Sequence, residues 1–129
     1  MEIGAGFILV AEDIEAAWTD LSEAAPAAMV PIDQETYVEA GEPFEKGERV
    51  GEAHGSAMLT HSDKFVVHLT FEFLQNEEDS VTAHGVLPRE GGQIGRGRIA
   101  ITGGTGRFHK ASGRIEVQTR NPKRYIFDL

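Results

Sequence analysis

A chain of 129 residues, 40% of them hydrophobic, is long enough for one buried core and too short for two, so residues 1–129 are expected to form a single domain. Without cysteine, disulfides, thiolate metal sites and thiol nucleophiles are excluded, and a formal net charge of −9 speaks against a nucleic-acid partner, because phosphate binding begins with a basic surface. No basic start precedes an apolar run and no apolar stretch is long enough to span a bilayer, so no membrane association is expected and the expected location is the cytoplasm.

Residues 6–10 ("GFILV") read as a buried strand. Residues 12–25 ("EDIEAAWTDLSEAA") then read as helical, with Ile14, Ala17, Trp18 and Leu21 recurring at spacings of three and four. Pro26 and Pro31 end that stretch, and residues 32–38 start the sheet proper. Trp18 is either a core anchor or a residue covering one mouth of the fold.

From Gly51 onward the pattern is strands and turns. In residues 51–61 the odd positions Ala53, Gly55, Ala57 and Leu59 are small or apolar, and the even ones are polar apart from Met58. Residues 65–74 place Phe65, Val67, Leu69, Phe71 and Phe73 on one parity, with His68, Thr70 and Glu72 between them. The alternation returns in residues 80–87 (Val81, Ala83, Gly85, Leu87) and 113–120 (Ile115, Val117, Thr119). Period-two alternation over four successive segments means antiparallel strands with one dry face. Turn signals separate them at 61–64, 75–79, 88–92, 103–106 and 121–122, and Glu77-Glu78-Asp79 reads as a solvated turn. Short strands at this spacing predict an all-β fold, a sandwich or a barrel rather than alternating helices and strands. Small residues within the strands suit strong coiling, since glycine relieves crowding at a bend.

Most motifs of catalysis are missing. "GRGRIA" at residues 95–100 fits the loose dinucleotide pattern, but a strand follows it where the pattern needs a helix start, so no cofactor is expected. His54, His68 and His84 sit on polar parities without ligand spacing, so no metal is expected either. His61 shares the dry parity and is placed at the barrel mouth. Serines and acids fall mostly on outward parity or in turns, which leaves no acid–base machinery in view.

"AITGGTGRF" followed by "GRIEV" resembles the late-strand element, GGTG-x-F or GGSG-x-F, of the allene oxide cyclase and dirigent barrel superfamily. "GERVGEAHGSAML" is similar to its G-x-x-x-G strand, "FVVHLTFEFL" to its aromatic-rich strand, "TAHGVLP" to the strand that follows, and "VPIDQETY" to the family's "VPFTNKLY". The resemblance covers about residues 30–129, in the family's order. It implies a small closed antiparallel barrel of about eight strands around an apolar pocket, with a short helical segment after the first strand. Gly103, Gly104 and Gly106 are expected to make a tight turn with positive φ, with Phe108 tucked beneath it.

Plant members close an unstable epoxide, dirigent proteins steer radical coupling, and short bacterial members include Diels–Alderase-type cyclases that close polyketide polyenes by [4+2] cycloaddition. The plant catalytic glutamate and asparagine of the first strand fall at Ile8 and Val10, the plant cysteine at Ala57, and the "VPFTN" asparagine at Gln34. A pocket made more apolar in this way suits a cycloaddition, where no proton moves and holding the reacting ends together does the work.

The resemblance therefore implies a cofactor-independent cyclase acting on a large apolar intermediate, with Gln34 and Thr119 or Tyr125 hydrogen-bonding a carbonyl. The expected pocket is Ile8, Val10, Trp18, Thr36, Ala57, Leu59, His61, Leu69, Phe71, Phe73, Val81, Ala83, Ile99, Ile101, Val117 and Phe127. A homo-oligomer such as a dimer is compatible with this reading. The alternatives are a barrel that carries a lipid-like ligand and a dirigent-like protein that steers coupling. Fatty-acid-binding barrels place an arginine inside, whereas Arg49, Arg98, Arg114, Arg120 and Arg124 all fall in turns or on outward parity.

Overall fold

A computed structural model describes residues 6–14, 27–90, 93–118 and 123–129. The described chain forms β1 (Gly6–Asp13), β2 (Met29–Glu39), β3 (Lys46–Leu59), β4 (Lys64–Phe73), β5 (Ser80–Glu90), β6 (Gln93–Ile94), β7 (Gly97–Thr105), a 3-10 turn at Gly106–Phe108, β8 (Gly113–Gln118) and β9 (Lys123–Asp128). The strands run in the order β4-β3-β2-β1-β9-β8-β7-β5, and β4 pairs with β5 to close an antiparallel barrel of eight strands. The short β6 pairs only with the end of β5. Closure leaves no unpaired edge in the barrel wall.

The alternation governs β3, β4 and β5 as expected. Ala53, Ala57, Leu59, Phe65, Val67, Leu69, Phe71, Phe73, Val81, Ala83 and Leu87 are all buried in one cluster, joined by Ile99, Ile101, Ile115, Val117, Tyr125 and Phe127. Tight coiling explains the small residues of β3. A β-carbon on Gly51 or Gly55 would stand 1.8 Å from the Glu72 or the His68 carbonyl oxygen of β4, so only glycine lets the two backbones come this close. On the outer face one register row sets Met29 opposite Met58, Met58 opposite Val66 and Val66 opposite Val86.

Three expectations are corrected. Residues 12 and 13 belong to β1 and Ile14 to a bend, so the helix does not start at 12; the rest of the stretch, Trp18 included, lies outside the described residues. Residues 88–90 continue β5 into a hairpin with β6, where a turn was expected. Asp79 is 1% exposed where a solvated turn was expected, because its carboxylate is used inside the glycine corner. The expected form of that corner holds in part. Gly103 and Gly106 take φ of +150° and +61° and Phe108 is buried under it, but Gly104 has no positive φ and residues 103–105 still belong to β7, so the chain turns only from Gly106. "GRGRIA" runs into β7 with no helix after it.

Candidate functional site

The two ends of the barrel differ. One end is filled by rings: Phe7 stacks on Phe127 with centroids 4.4 Å apart, Phe73 stacks on Phe108 at 5.2 Å, and Phe71 meets Phe127 edge-on at 4.9 Å. Phe108 reaches this plug because the glycine corner turns the chain back over the barrel end. Toward the other end a small cavity remains, about 20 Å³, lined by Ile32, Gln34, Val67, Leu69, Leu87, Ile94, Val117, Lys123 and Tyr125. That is room for about one water.

One chain of polar groups interrupts this apolar lining. The Tyr125 hydroxyl donates to Gln34 Oε1 at 2.8 Å, and Gln34 Nε2 donates to Asp13 Oδ1 at 3.0 Å. Lys123 Nζ donates to Asp13 Oδ2 at 3.3 Å. Register explains the meeting. On β1 the odd residues face inward; Asp13 lies opposite Gln34 of β2, while Ala11 lies opposite Lys123 and Leu9 opposite Tyr125 of β9. Ala11, between Leu9 and Asp13 on that face, carries only a methyl group, which leaves room for side chains of β2 and β9 to meet over it.

Gln34 is 0% and Tyr125 2% exposed, and burial of such groups is tolerable only because each has a partner. Burial drives the Tyr125 phenol well above its ordinary pKa, against the smaller opposite effect of its bond to Gln34, so it is un-ionised at neutral pH. A second ion pair, Arg89 to Asp63 at 2.7 Å, joins the end of β5 to the β3–β4 turn at the same end of the barrel.

Of the expected site residues, the structure brings Gln34, Leu69, Val117 and Tyr125 around the cavity. Thr36, Ala57, Leu59, Phe71, Phe73, Val81, Ala83, Ile99, Ile101 and Phe127 are buried inside the barrel but do not line the cavity. Ile8 and Val10 are corrected, because β1 turns Phe7, Leu9 and Ala11 inward. Val10 is buried on the outer face, where its cross-strand neighbours are Tyr37 and Arg124. His61 is corrected as well: β3 ends at Leu59, and His61 is exposed in the turn that follows. Trp18 and Thr119 lie outside the described residues.

Asp13 and Lys123 were missed by sequence reasoning. Asp13 was read as a helical residue, and Lys123 follows a turn signal that hid the start of β9. The one available signal was parity, since Lys123 stands two residues before Tyr125. Among the described residues no group of three or more histidine, aspartate or glutamate side chains is placed to hold a metal ion, and no helix is long and apolar enough to cross a membrane.

No protein-family model matches the chain, and no curated protein matches it in sequence. Solved structures do. A pyocyanin demethylase is 18% identical with a TM-score of 0.69, over 94% of this chain and 96% of that one. The pterocarpan synthase dirigent protein GePTS1 is 15% identical with a TM-score of 0.57, over 94% of this chain and 77% of that one. At this identity the likeness is one of fold, and the chain adopts the barrel of the dirigent and allene oxide cyclase type.

Proposed function

We propose that the protein is a cofactor-independent cyclase of natural-product biosynthesis that closes a linear, largely apolar polyene by intramolecular [4+2] cycloaddition. The observation that carries this reading is the polar chain of Tyr125, Gln34 and Asp13, joined by Lys123, on a cavity whose other lining residues are apolar. Apolar walls hold the two reacting ends together, an effect worth several kcal/mol, and the polar chain fixes one oxygen of the substrate. The cavity must widen on the Ile32, Leu87 and Ile94 side to take such a molecule. The neighbours' names, a demethylase and a pterocarpan synthase dirigent protein, attach chemistry to barrels of this shape.

The test is direct. A linear substrate bearing a diene and a carbonyl-activated alkene is incubated with the protein, and the cyclic isomer is followed by chromatography and mass spectrometry. Acceleration of at least ~10²-fold over buffer, with one stereoisomer dominant, is the expected result. A rate equal to that in buffer sinks the proposal.

The alternative of a ligand carrier is favoured by one observation, the inward-facing Lys123 near the cavity, which supplies the interior cation that the arginines do not. A carrier would return the polyene unchanged, and a dirigent-like protein would alter product ratios without altering the rate.

A further inference from the structure

The polar chain of the cavity has a direction. A carboxylate only accepts hydrogen bonds and an ammonium group only donates them. Asp13 spends Oδ2 on Lys123 and Oδ1 on Gln34, so the Gln34 amide has to turn its nitrogen toward Asp13 and its oxygen toward Tyr125. The phenolic hydrogen of Tyr125 is thereby committed to Gln34 Oε1. Each of these hydrogen bonds runs toward Asp13, and at Tyr125 what remains for a ligand is the lone pairs of its oxygen.

We infer that Asp13 is a positioning residue which, acting through Gln34, makes Tyr125 a hydrogen-bond acceptor. At its Tyr125 end the site therefore favours apolar ligands carrying a neutral hydroxyl donor, an alcohol or a phenol, over ligands of the same shape that offer only lone pairs there. A ligand without the hydroxyl leaves the buried phenolic oxygen with an unmet acceptor, and unmet buried polar groups are what such sites discriminate against. The inference rests on the barrel admitting a ligand and is independent of which reaction follows.

Asp13→Asn tests the direction. Lys123 can only donate, so it holds the oxygen of the new amide and turns the amide nitrogen toward Gln34. Gln34 then presents Oε1 to residue 13 and Nε2 to Tyr125, and the Tyr125 hydrogen is freed for the cavity. Binding of p-cresol and of 4-methylanisole, the same ring with its hydroxyl capped, is measured by calorimetry on each variant.

The ratio of the two affinities is expected to fall by roughly tenfold from wild type to Asp13→Asn, and to be retained in Asp13→Glu. Tyr125→Phe is expected to weaken p-cresol selectively, and it serves where Asp13→Asn does not fold. A ratio unchanged in a folded Asp13→Asn or Tyr125→Phe protein overturns the inference, as does failure of the wild type to bind either probe. Flat binding ratios leave the cyclisation assay untouched, and an inactive cyclisation assay leaves the ratios untouched, so the two readings fail separately.

Discussion

Asp79 holds Arg107 at two points, accepting hydrogen bonds from its backbone nitrogen at 2.9 Å and from its Nε at 2.8 Å. The carboxylate is 1% exposed, and it ties the start of β5 to the glycine corner that carries Phe108 into the aromatic plug. These bonds, the backbone one foremost, hold the Asp79 pKa below the usual carboxylate range. The depressed value means that its contribution is present above the unfolded-state pKa and is lost as pH falls through the folded one. Asp79→Asn is expected to lower the thermal midpoint at pH 7 and to leave it nearly unchanged at acid pH, as read by circular dichroism across the range.

Gly106 tests the same corner from the other side. Its φ is +61°, and a β-carbon would stand 2.2 Å from Asp79 Oδ1. The left-handed conformation alone costs an L-residue about 1–2 kcal/mol, and the clash adds to it. Gly106→Ala is therefore expected to destabilise the barrel by about 2 kcal/mol or more in urea unfolding. A change below about 0.5 kcal/mol would show that the corner relaxes freely.

Glu39 and Arg124 form an ion pair on the outer face beside Val10's row, with side chains 12% and 16% exposed. The Arg124 guanidinium, hydrogen-bonded to Glu39, holds that carboxyl below its ordinary pKa. Its stabilisation is thus present above about pH 4.5 and disappears as the pH drops through the depressed value. Glu39→Gln is expected to cost about 1–2 kcal/mol near neutrality, with the difference from wild type closing in acid.

The interior polar chain predicts non-additivity. Gln34→Leu strands the Tyr125 hydroxyl and an Asp13 oxygen, and is expected to cost about 2–3 kcal/mol of stability. Tyr125→Phe added to it is expected to cost less than it does alone, because the hydroxyl it removes has already lost its partner. A coupling energy near zero in the double-mutant cycle would show that the 2.8 Å contact carries no energy.

Cavity filling discriminates the site from the core. Val67 lines the cavity and is 1% exposed, so the added methylene of Val67→Leu can enter the 20 Å³ space. Stability is expected to change by less than about 1 kcal/mol while ligand binding is lost. Ala57, 0% exposed and not lining the cavity, has no such space for a ring, and Ala57→Phe is expected to unfold the barrel.

Much of the barrel was legible from residue types alone, because a strand with one dry face writes its parity into the chain. Phe65, Val67, Leu69, Phe71 and Phe73 alternate with residues that, Val66 apart, are polar, so their inward direction could be read before any partner strand was known. The crowded glycines of β3 and the corner before Phe108 were legible for a similar reason, since only glycine fits those backbones. Parity is mute where a run is apolar throughout. "GFILV" gave no sign that Leu9 faces in and Val10 out, and pairing with Tyr37 and Tyr125 on either side decided it. Gln34 and Tyr125 could each be placed on an inward face from the chain, yet their contact spans 91 positions and arises only when closure brings β2, β1 and β9 side by side. Asp13 and Lys123, 110 positions apart, became partners by the same closure. Local alternation set which faces are dry; register across the closed sheet set which polar atoms share the dry interior, because a shift of one residue exchanges every side chain between the two faces.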